Sequence, residues 1–593
     1  MSYYDDASLV VIPSGYKTSK VYAEKPTDGS GDLTFTRTGD TATRVNSAGL
    51  IEKVRTNLIT YSEQLDNAAW TKSQVTISPN LIISPDGTTT ADTAIETTAN
   101  AQHYVGSSNV SFLASTKYTA TVYAKWDASC TRNLHVRLGN CASVNIGASF
   151  DKNGNFVNYT GGANGTLDAY SFTNVGNGWL RFAVTITTAA TASSGNGIIL
   201  YFLDGTSPNF IGSTSQKISL WGAQLETGDI ATAYIPTTTA AVSVGPTANT
   251  ARLDYLGSTC PRLILEPQRQ NLVTFSEQFN NAAWSKTAGG TGTAPAVTAN
   301  NATSPDGYQN ADTIVFNAGA GTSASDQSTI YQTISSLPAG TYTCSFYAKT
   351  ASGTAQIMVR HAGAANFTKF TITDQWQRFT STEVKGSTST AYLEILIRRG
   401  LNEPINASAT IQLWGVQLEL GSFATSYVPT LAASATRGAD ACSKTDISSL
   451  IGQTEGTVFL DADYIASTGS NYNTLLILTP AGGAGSGFVV IDRYPNNRVV
   501  CEYNQGGSQA KITSATTYGS QRLKIAFAYK ANDFVAYVNG VQIGTDNSGT
   551  TGLTLSQLLI VYAPNLPDGG KMNQALLFKT RLTNAELAEL TTL

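Results

Sequence analysis

"NLITYSEQLDNAAWTK" (residues 57–72) and "NLVTFSEQFNNAAWSK" (271–286) are one stretch written twice in the same chain. Eleven of the sixteen positions are identical, and the other five exchange residues of nearly equal shape, such as Ile59 for Val273 and Tyr61 for Phe275. A match of that length marks a duplicated structural unit, and the sequence on either side shows how far the duplication runs.

It runs through a whole domain. "SPDGTTTADT" (84–93) returns as "SPDGYQNADT" (304–313), "KYTATVYAK" (117–125) as "TYTCSFYAK" (341–349), and "WLRF" (179–182) as "WQRF" (376–379). "LWGAQLETGDIATAYIPT" (220–237) returns as "LWGVQLELGSFATSYVPT" (413–430), in the same order. Within each copy the apolar pattern has period two. "YTATVYAK" alternates from Tyr118 to Tyr123, and "KISLWGAQLE" puts Ile218, Leu220 and Gly222 on one face. Strands of that kind, separated by Gly-, Asn- and Pro-rich turns, must bury one face against a second sheet, which predicts antiparallel two-sheet sandwiches.

A lead-in recurs three times, as "TATRVN" (41–46), "TARLD" (250–254) and "SATRGAD" (434–440), aligning Arg44, Arg252 and Arg437. After the third, from Gly456, the repeat is gone. New alternating strands appear ("TVFLDADY", "RLKIAFAYK"), and "FVAYVNGVQIGT" (534–545) predicts a hairpin turning at Asn539-Gly540. Thr583 and Glu586 have capping-box spacing for one closing helix. The expected organisation is all-β: an N-terminal segment 1–55, a first sandwich 56–238, a lead-in 239–270, a second sandwich 271–430, a linker 431–455 and a terminal sandwich 456–593.

Composition narrows the function classes. Charged residues make up 13% of the chain beside 41% hydrophobic, with a net charge of −4 and a pI near 5.6. The chain has no basic block, so no nucleic-acid partner is expected. Nor is a membrane partner, because no apolar run approaches the ~20 residues that span a bilayer. The N-terminus lacks the pattern of a secretory signal, so synthesis in a host cytoplasm is expected. The six cysteines do not recur with the repeat: Cys130 and Cys141 have no counterparts, and Cys344 aligns with Ala120. They are expected to be mostly buried free thiols.

The repeated blocks "NLxTxSEQFxNAAWxK", "PDGxxxAD", "YxxSxYAK", "WxRF" and "LWGxQLExGxxATxYxPT" resemble the carbohydrate-binding-module-like jelly rolls of bacteriophage fibres and other virion proteins. "YVNGVQIG" and "LTNAELAEL" resemble the laminin-G/concanavalin-A-like lectin sandwiches. "SLVVIPSGYKTSKVYAEKPTDGSGDLTFTR" is similar to the amino-terminal regions of phage tail or head-fibre proteins. The resemblance implies two duplicated jelly rolls, a concanavalin-A-type sandwich and a short N-terminal anchor. It further implies a non-enzymatic structural and adhesive virion protein that holds other virion proteins through its N-terminus and host-surface glycans through its modules, as a homodimer or homotrimer. The alternatives are a spike with polysaccharide-degrading activity and a decoration protein without ligand.

Candidate ligand residues follow. Trp126 stands directly after "YAK", where the second copy has Thr350. It is the one tryptophan without a partner in the other copy, and is expected to be an exposed ligand contact. Arg137 and Arg360 occupy corresponding strands ("VRLGN", "VRHAG"), and His361 follows the second; such side chains suit sugar hydroxyls or a carboxylated glycan. The paired tryptophans Trp70/Trp284, Trp179/Trp376 and Trp221/Trp414 read as core. Among the recurring carboxylates, Glu63/Glu277, Asp92/Asp312 and Glu226/Glu419 are candidate oxygen ligands for a structural Ca²⁺, and no other cofactor is called for. Asp86 and Asp306 read instead as closing Pro-Asp-Gly turns. His103, His135 and His361 have no metal-spaced partners, which leaves zinc and triad chemistry without support, and "GGAGSGF" (482–488) lacks the Lys-Ser/Thr ending of a phosphate loop.

Overall fold

A computed structural model describes residues 3–139, 146–161, 165–191, 193–363, 367–400, 406–464, 473–560 and 570–593. Cys141 lies outside the described residues. The fold is nearly all β, with antiparallel sheets stacked as tandem sandwiches. The chain divides into two compact units: residues 54–245 with 308–310, and residues 1–53, 246–307 and 311–593.

The first unit is the first repeat. Its two sheets have six and seven strands among the described residues, and they enclose a core that includes Trp70, Val122, Phe182 and Leu220. The second repeat lies in the other unit and has two five-stranded sheets. Register is shared between the copies. Lys117–Trp126 pairs Lys217–Thr227 with Ala120 opposite Leu225, and Gly340–Lys349 pairs Ser408–Leu420 with Cys344 opposite Leu418. Both pairings slip at the Gly of "LWG". Gly222 and Gly415 sit at φ +62° and +63°, where a side chain would be strained and would meet the ring of Tyr123 or Tyr347. The bulge departs from the simple alternation read from the sequence.

The opening stretch can now be explained. Asn57 and Asn271 are buried and act as clamps. The Asn57 amide donates to Ala223 O and Ile235 O at 3.1 and 2.8 Å, and its Oδ1 accepts from Ile59 N and Leu225 N. Asn271 makes the same four bonds, to Val416, Val428, Val273 and Leu418. Trp70 Nε1 donates to Tyr61 O and Trp284 Nε1 to Phe275 O, both at 3.0 Å. Each repeat also closes its ends with a short strand pair: Arg55–Asn57 with Val242–Val244, and Arg269–Asn271 with Ala435–Arg437.

The terminal sandwich is larger than expected. Its eight-stranded sheet includes Leu9–Val11 and Arg262–Leu265, both paired with Gly570–Phe578. Its nine-stranded sheet includes Lys20–Val21 and Leu33–Thr36, with Ala441–Lys444 beside the latter. Residues 1–55 are therefore not a separate anchor, and 239–270 and 431–455 are not plain linkers. All three supply strands to the sandwich placed at 456–593. The physical reason is burial: Leu9, Val11, Val21, Leu33, Phe35, Leu263 and Leu265 are core residues alongside Phe527 and Leu558. Both repeats are thus excursions in sequence from one sandwich that contains both ends of the described chain. The Asn539-Gly540 turn has both residues at positive φ, as the hairpin signal requires, and the Thr583/Glu586 capping box opens helix Asn584–Thr591. Cys130, Cys344, Cys442 and Cys501 are buried free thiols, and Cys260 is an exposed one.

The lead-ins converge on a buried ionic cluster in the larger unit. Arg252 and Arg437 each reach Glu266 Oε2 at 2.8 Å. Asp440 bonds Arg252 and, at 3.2 Å, Arg37. Arg44 stands outside the cluster and pairs Glu52 at 2.7 Å, the counterpart of the Arg252–Glu266 pair. Burial alone would raise the Glu266 carboxyl, but Arg437 and Arg252 outweigh it and hold it well below the ordinary carboxylate range.

Candidate functional site

Period-two alternation sends one set of side chains from each sheet into the core and the other set away from it. On strand Ala355–Arg360, Ile357 and Val359 are core, which puts Arg360 on the averted face. On the neighbouring strand Ser389–Arg398, Leu393 and Ile395 are core, which puts Tyr392 and Glu394 on the averted face. Arg360 lies opposite Glu394, its Nε bonds the Glu394 carboxylate, and its guanidinium sits 4.6 Å from the Phe367 ring centre. Arg360, Tyr392 and Glu394 line an open groove of about 430 Å³ with Lys385, Ser387, Ser389 and Thr390. Lys385 Nζ donates to Ser389 Oγ at 2.8 Å. Tyr392 is 47% exposed and braced edge-on by Tyr331. The groove therefore offers a fixed cation, a carboxylate, hydroxyls and an exposed aromatic ring.

Of the ligand residues expected from sequence, only Arg360 lines this groove. His361, next in the chain, is fully buried with Nε2 3.0 Å from Ser381 O, and burial pushes its pKa down to about 4. Arg137 lies in the first repeat with its guanidinium 4.2 Å from the Tyr201 ring centre and its Nη2 on the Tyr201 hydroxyl. Trp126 differs from its expectation. It is half-buried, donates from Nε1 to Arg132 O at 2.7 Å and meets Phe182 edge to face. Tyr392 and Glu394 were missed because "AYLEILIR" belongs to no repeated block. Its alternation nevertheless separates Tyr392 and Glu394 from Leu393 and Ile395.

The recurring carboxylates serve the backbone. Asp92 accepts from Leu65 N at 2.7 Å and Asn80 N at 2.9 Å, and Asp312 from Phe279 N and Asn300 N at the same distances. Glu226 holds Thr232 N and Oγ1, as Glu419 holds Thr425 N and Oγ1. Glu277 binds Lys53 Nζ and the Tyr427 hydroxyl, while Glu63 accepts from Tyr234. Oxygens turned to N–H and O–H donors do not make a cation cage. Among the described residues, no group of three or more His, Cys, Asp or Glu could hold a metal ion. The residues present do not fit the expected Ca²⁺.

No family model and no curated protein matches the chain. Among solved structures, the Ruminococcus gnavus IT-sialidase CBM40 bound to alpha2,3 sialyllactose is similar at 14% identity and a TM-score of 0.22, over 25% of this chain and 91% of that one. The Streptococcus pneumoniae NanB sialidase in complex with an ammonio-ethanesulfonate compound is similar at 15% and 0.21, over 25% and 26%. The bacteriophage CBA120 tailspike protein 4 enzymatically active domain is similar at 15% and 0.19, over 25% and 21%. These likenesses are confined to a quarter of the chain. They correct the expectation of a non-enzymatic protein: sialidases and an enzymatically active tailspike domain are among the similar structures.

Proposed function

We propose that the chain is a glycan-binding protein of a bacteriophage particle, in which the Arg360–Glu394–Tyr392 groove of the second repeat grips a host-surface saccharide. The observation that carries this reading is the composition of the groove. An exposed ring suits the apolar face of a pyranose, and a guanidinium, a carboxylate and hydroxyls beside it suit sugar hydroxyls or a sugar carboxylate. The resemblance of the repeated blocks to virion jelly rolls supports the phage setting, where several copies on one particle would turn weak sites into firm adhesion.

The test is binding of the intact chain to a glycan array, followed by titration with the best saccharide. Tyr392→Ala is expected to weaken binding by about tenfold, equivalent to one lost aromatic contact. Arg360→Ala should weaken acidic glycans more than neutral ones. Binding unchanged by both substitutions, with the melting temperature preserved, would place the site elsewhere.

A further inference from the structure

The two repeats carry the same polar and aromatic constellation beside the "LWG" bulge. In the second repeat, Trp414 and Tyr427 meet with ring centres 4.8 Å apart, Tyr427 OH bonds Ser276 Oγ at 2.6 Å and Glu277 Oε1 at 2.9 Å, and Ser304 Oγ donates to Asp306 at 2.7 Å. In the first repeat, Trp221 and Tyr234 are 4.7 Å apart, Tyr234 OH bonds Ser62 Oγ at 2.6 Å and Glu63 Oε1 at 3.1 Å, and Ser84 Oγ donates to Asp86 at 2.5 Å. Every group has its counterpart.

The occupancy differs. In the second repeat, strand Ile51–Lys53, hairpinned to Thr43–Val45, lies on this constellation. Lys53 Nζ is 2.8 Å from Glu277, 2.9 Å from Asp306 and 5.2 Å from the Trp414 ring centre. Ile51 packs with Trp414 and Tyr427, and its N–H donates to Pro305 O at 2.9 Å. Burial opposes the Lys53 charge, but Glu277 and Asp306 outweigh it and raise its pKa. Asp306 is only 3% exposed.

In the first repeat, no cation among the described residues pairs with Glu63 or Asp86. Asp86 is exposed and Tyr234 half-buried, where Asp306 and Tyr427 are buried. Ile82 packs with Trp221 and Tyr234 on this face. Burial would raise the Asp86 carboxyl, but bonds from Ser84 and Thr88 hold it below its ordinary value, so it stays anionic. Burial and the Asp86 charge raise Glu63, a cost that a docked ammonium would relieve.

We propose that this face of the first repeat docks a lysine-bearing β-hairpin of a partner polypeptide, seated as Ile51–Lys53 is seated on the second repeat. The duplicate supplies the pose: the ammonium between the two carboxylates and over the indole, and an aliphatic residue two positions earlier on the aromatic pair. The occupant comes from another polypeptide. Lys53 is already engaged, and the second lead-in has Pro267 where the first has Lys53.

The test titrates the full chain with a fluorescein-labelled, backbone-cyclised peptide of residues 42–54, read by anisotropy at low salt. Saturable binding is expected, weakened by about tenfold or more by Glu63→Gln combined with Asp86→Asn, and equally by norleucine in place of the peptide lysine. Asp86 is exposed and Glu63 half-buried, and an unchanged melting curve confirms an intact fold. Three results would overturn the proposal: no saturation at millimolar peptide, binding that survives the double substitution, or equal affinity for n-butylammonium, which would assign the site to small amines. Glu63 and Asp86 are in the first repeat, so none of these outcomes depends on glycan binding by the second.

Discussion

Removing residues 1–36 is expected to abolish the folding of the terminal sandwich, although the deletion lies more than four hundred residues before Glu455. Leu9, Val11, Val21, Leu33 and Phe35 are all fully buried in its core. At roughly 2 kcal/mol for each buried side chain, their loss costs about 10 kcal/mol, as much as the whole stability of a typical domain. The deletion also strips Leu9–Val11 from Gly570–Phe578 and Leu33–Thr36 from Ala441–Lys444, leaving backbone donors and acceptors unpaired. Calorimetry of the truncated chain should show the first repeat melting and no cooperative transition from the terminal sandwich. A soluble fragment that keeps every transition of the intact chain would show that the N-terminal strands are dispensable.

Replacing Asp440 by Ala should be the most damaging single substitution among the lead-ins. It leaves buried Arg37 without a carboxylate and buried Arg252 with Glu266 alone, a carboxylate it already shares with Arg437. Burial and the neighbouring arginines already push the Arg37 pKa down to about 10, and Asp440 is the carboxylate opposing them. Removing one partner of a buried ion pair costs about 3–5 kcal/mol, because the other charge is left without compensation. The urea midpoint of the larger unit should fall accordingly. Acid acts on the same cluster through Glu266. Its folded pKa lies below its unfolded value, so its contribution is present above the ordinary glutamate range and is lost as pH falls through the folded value. Stability should therefore decline with acidification below about pH 4.5, and Glu266→Gln should flatten that slope while lowering stability at neutral pH. A midpoint unmoved by Asp440→Ala would mean that the cluster is compensated by solvent.

The sequence carried the fold of the repeats well, because their signals are local. Period-two strands, the "LWG" and "NL" blocks and the Asn539-Gly540 turn each act within a few residues of where they are read. The boundaries were less legible. Strands Leu9–Val11 and Arg262–Leu265 are three and four residues long and join a partner more than three hundred residues away, and no periodic window of that length announces its partner. The arginine register of the lead-ins was visible at Arg252 and Arg437. The third arginine of the cluster, Arg37, sits outside the repeated lead-in and could not be aligned with them. The carboxylates Glu63, Asp92 and Glu226 were found by recurrence, but recurrence does not distinguish a metal ligand from a backbone acceptor. Only the donors around Asp92 and Glu226 do that. Trp126 was singled out for being unpaired, and the Arg132 carbonyl satisfies its N–H.

The two ends of the chain fold into one sandwich, from which the repeats are excursions in sequence. Native-state hydrogen exchange on the intact chain tests it at the strands concerned. If the claim holds, the hydrogen-bonded amides of Leu9–Val11 exchange as slowly as those of Gly570–Phe578, and both sets accelerate together in mild denaturant, as members of one cooperative unit do. Rapid exchange at Leu9–Val11 while Gly570–Phe578 stays protected would contradict it.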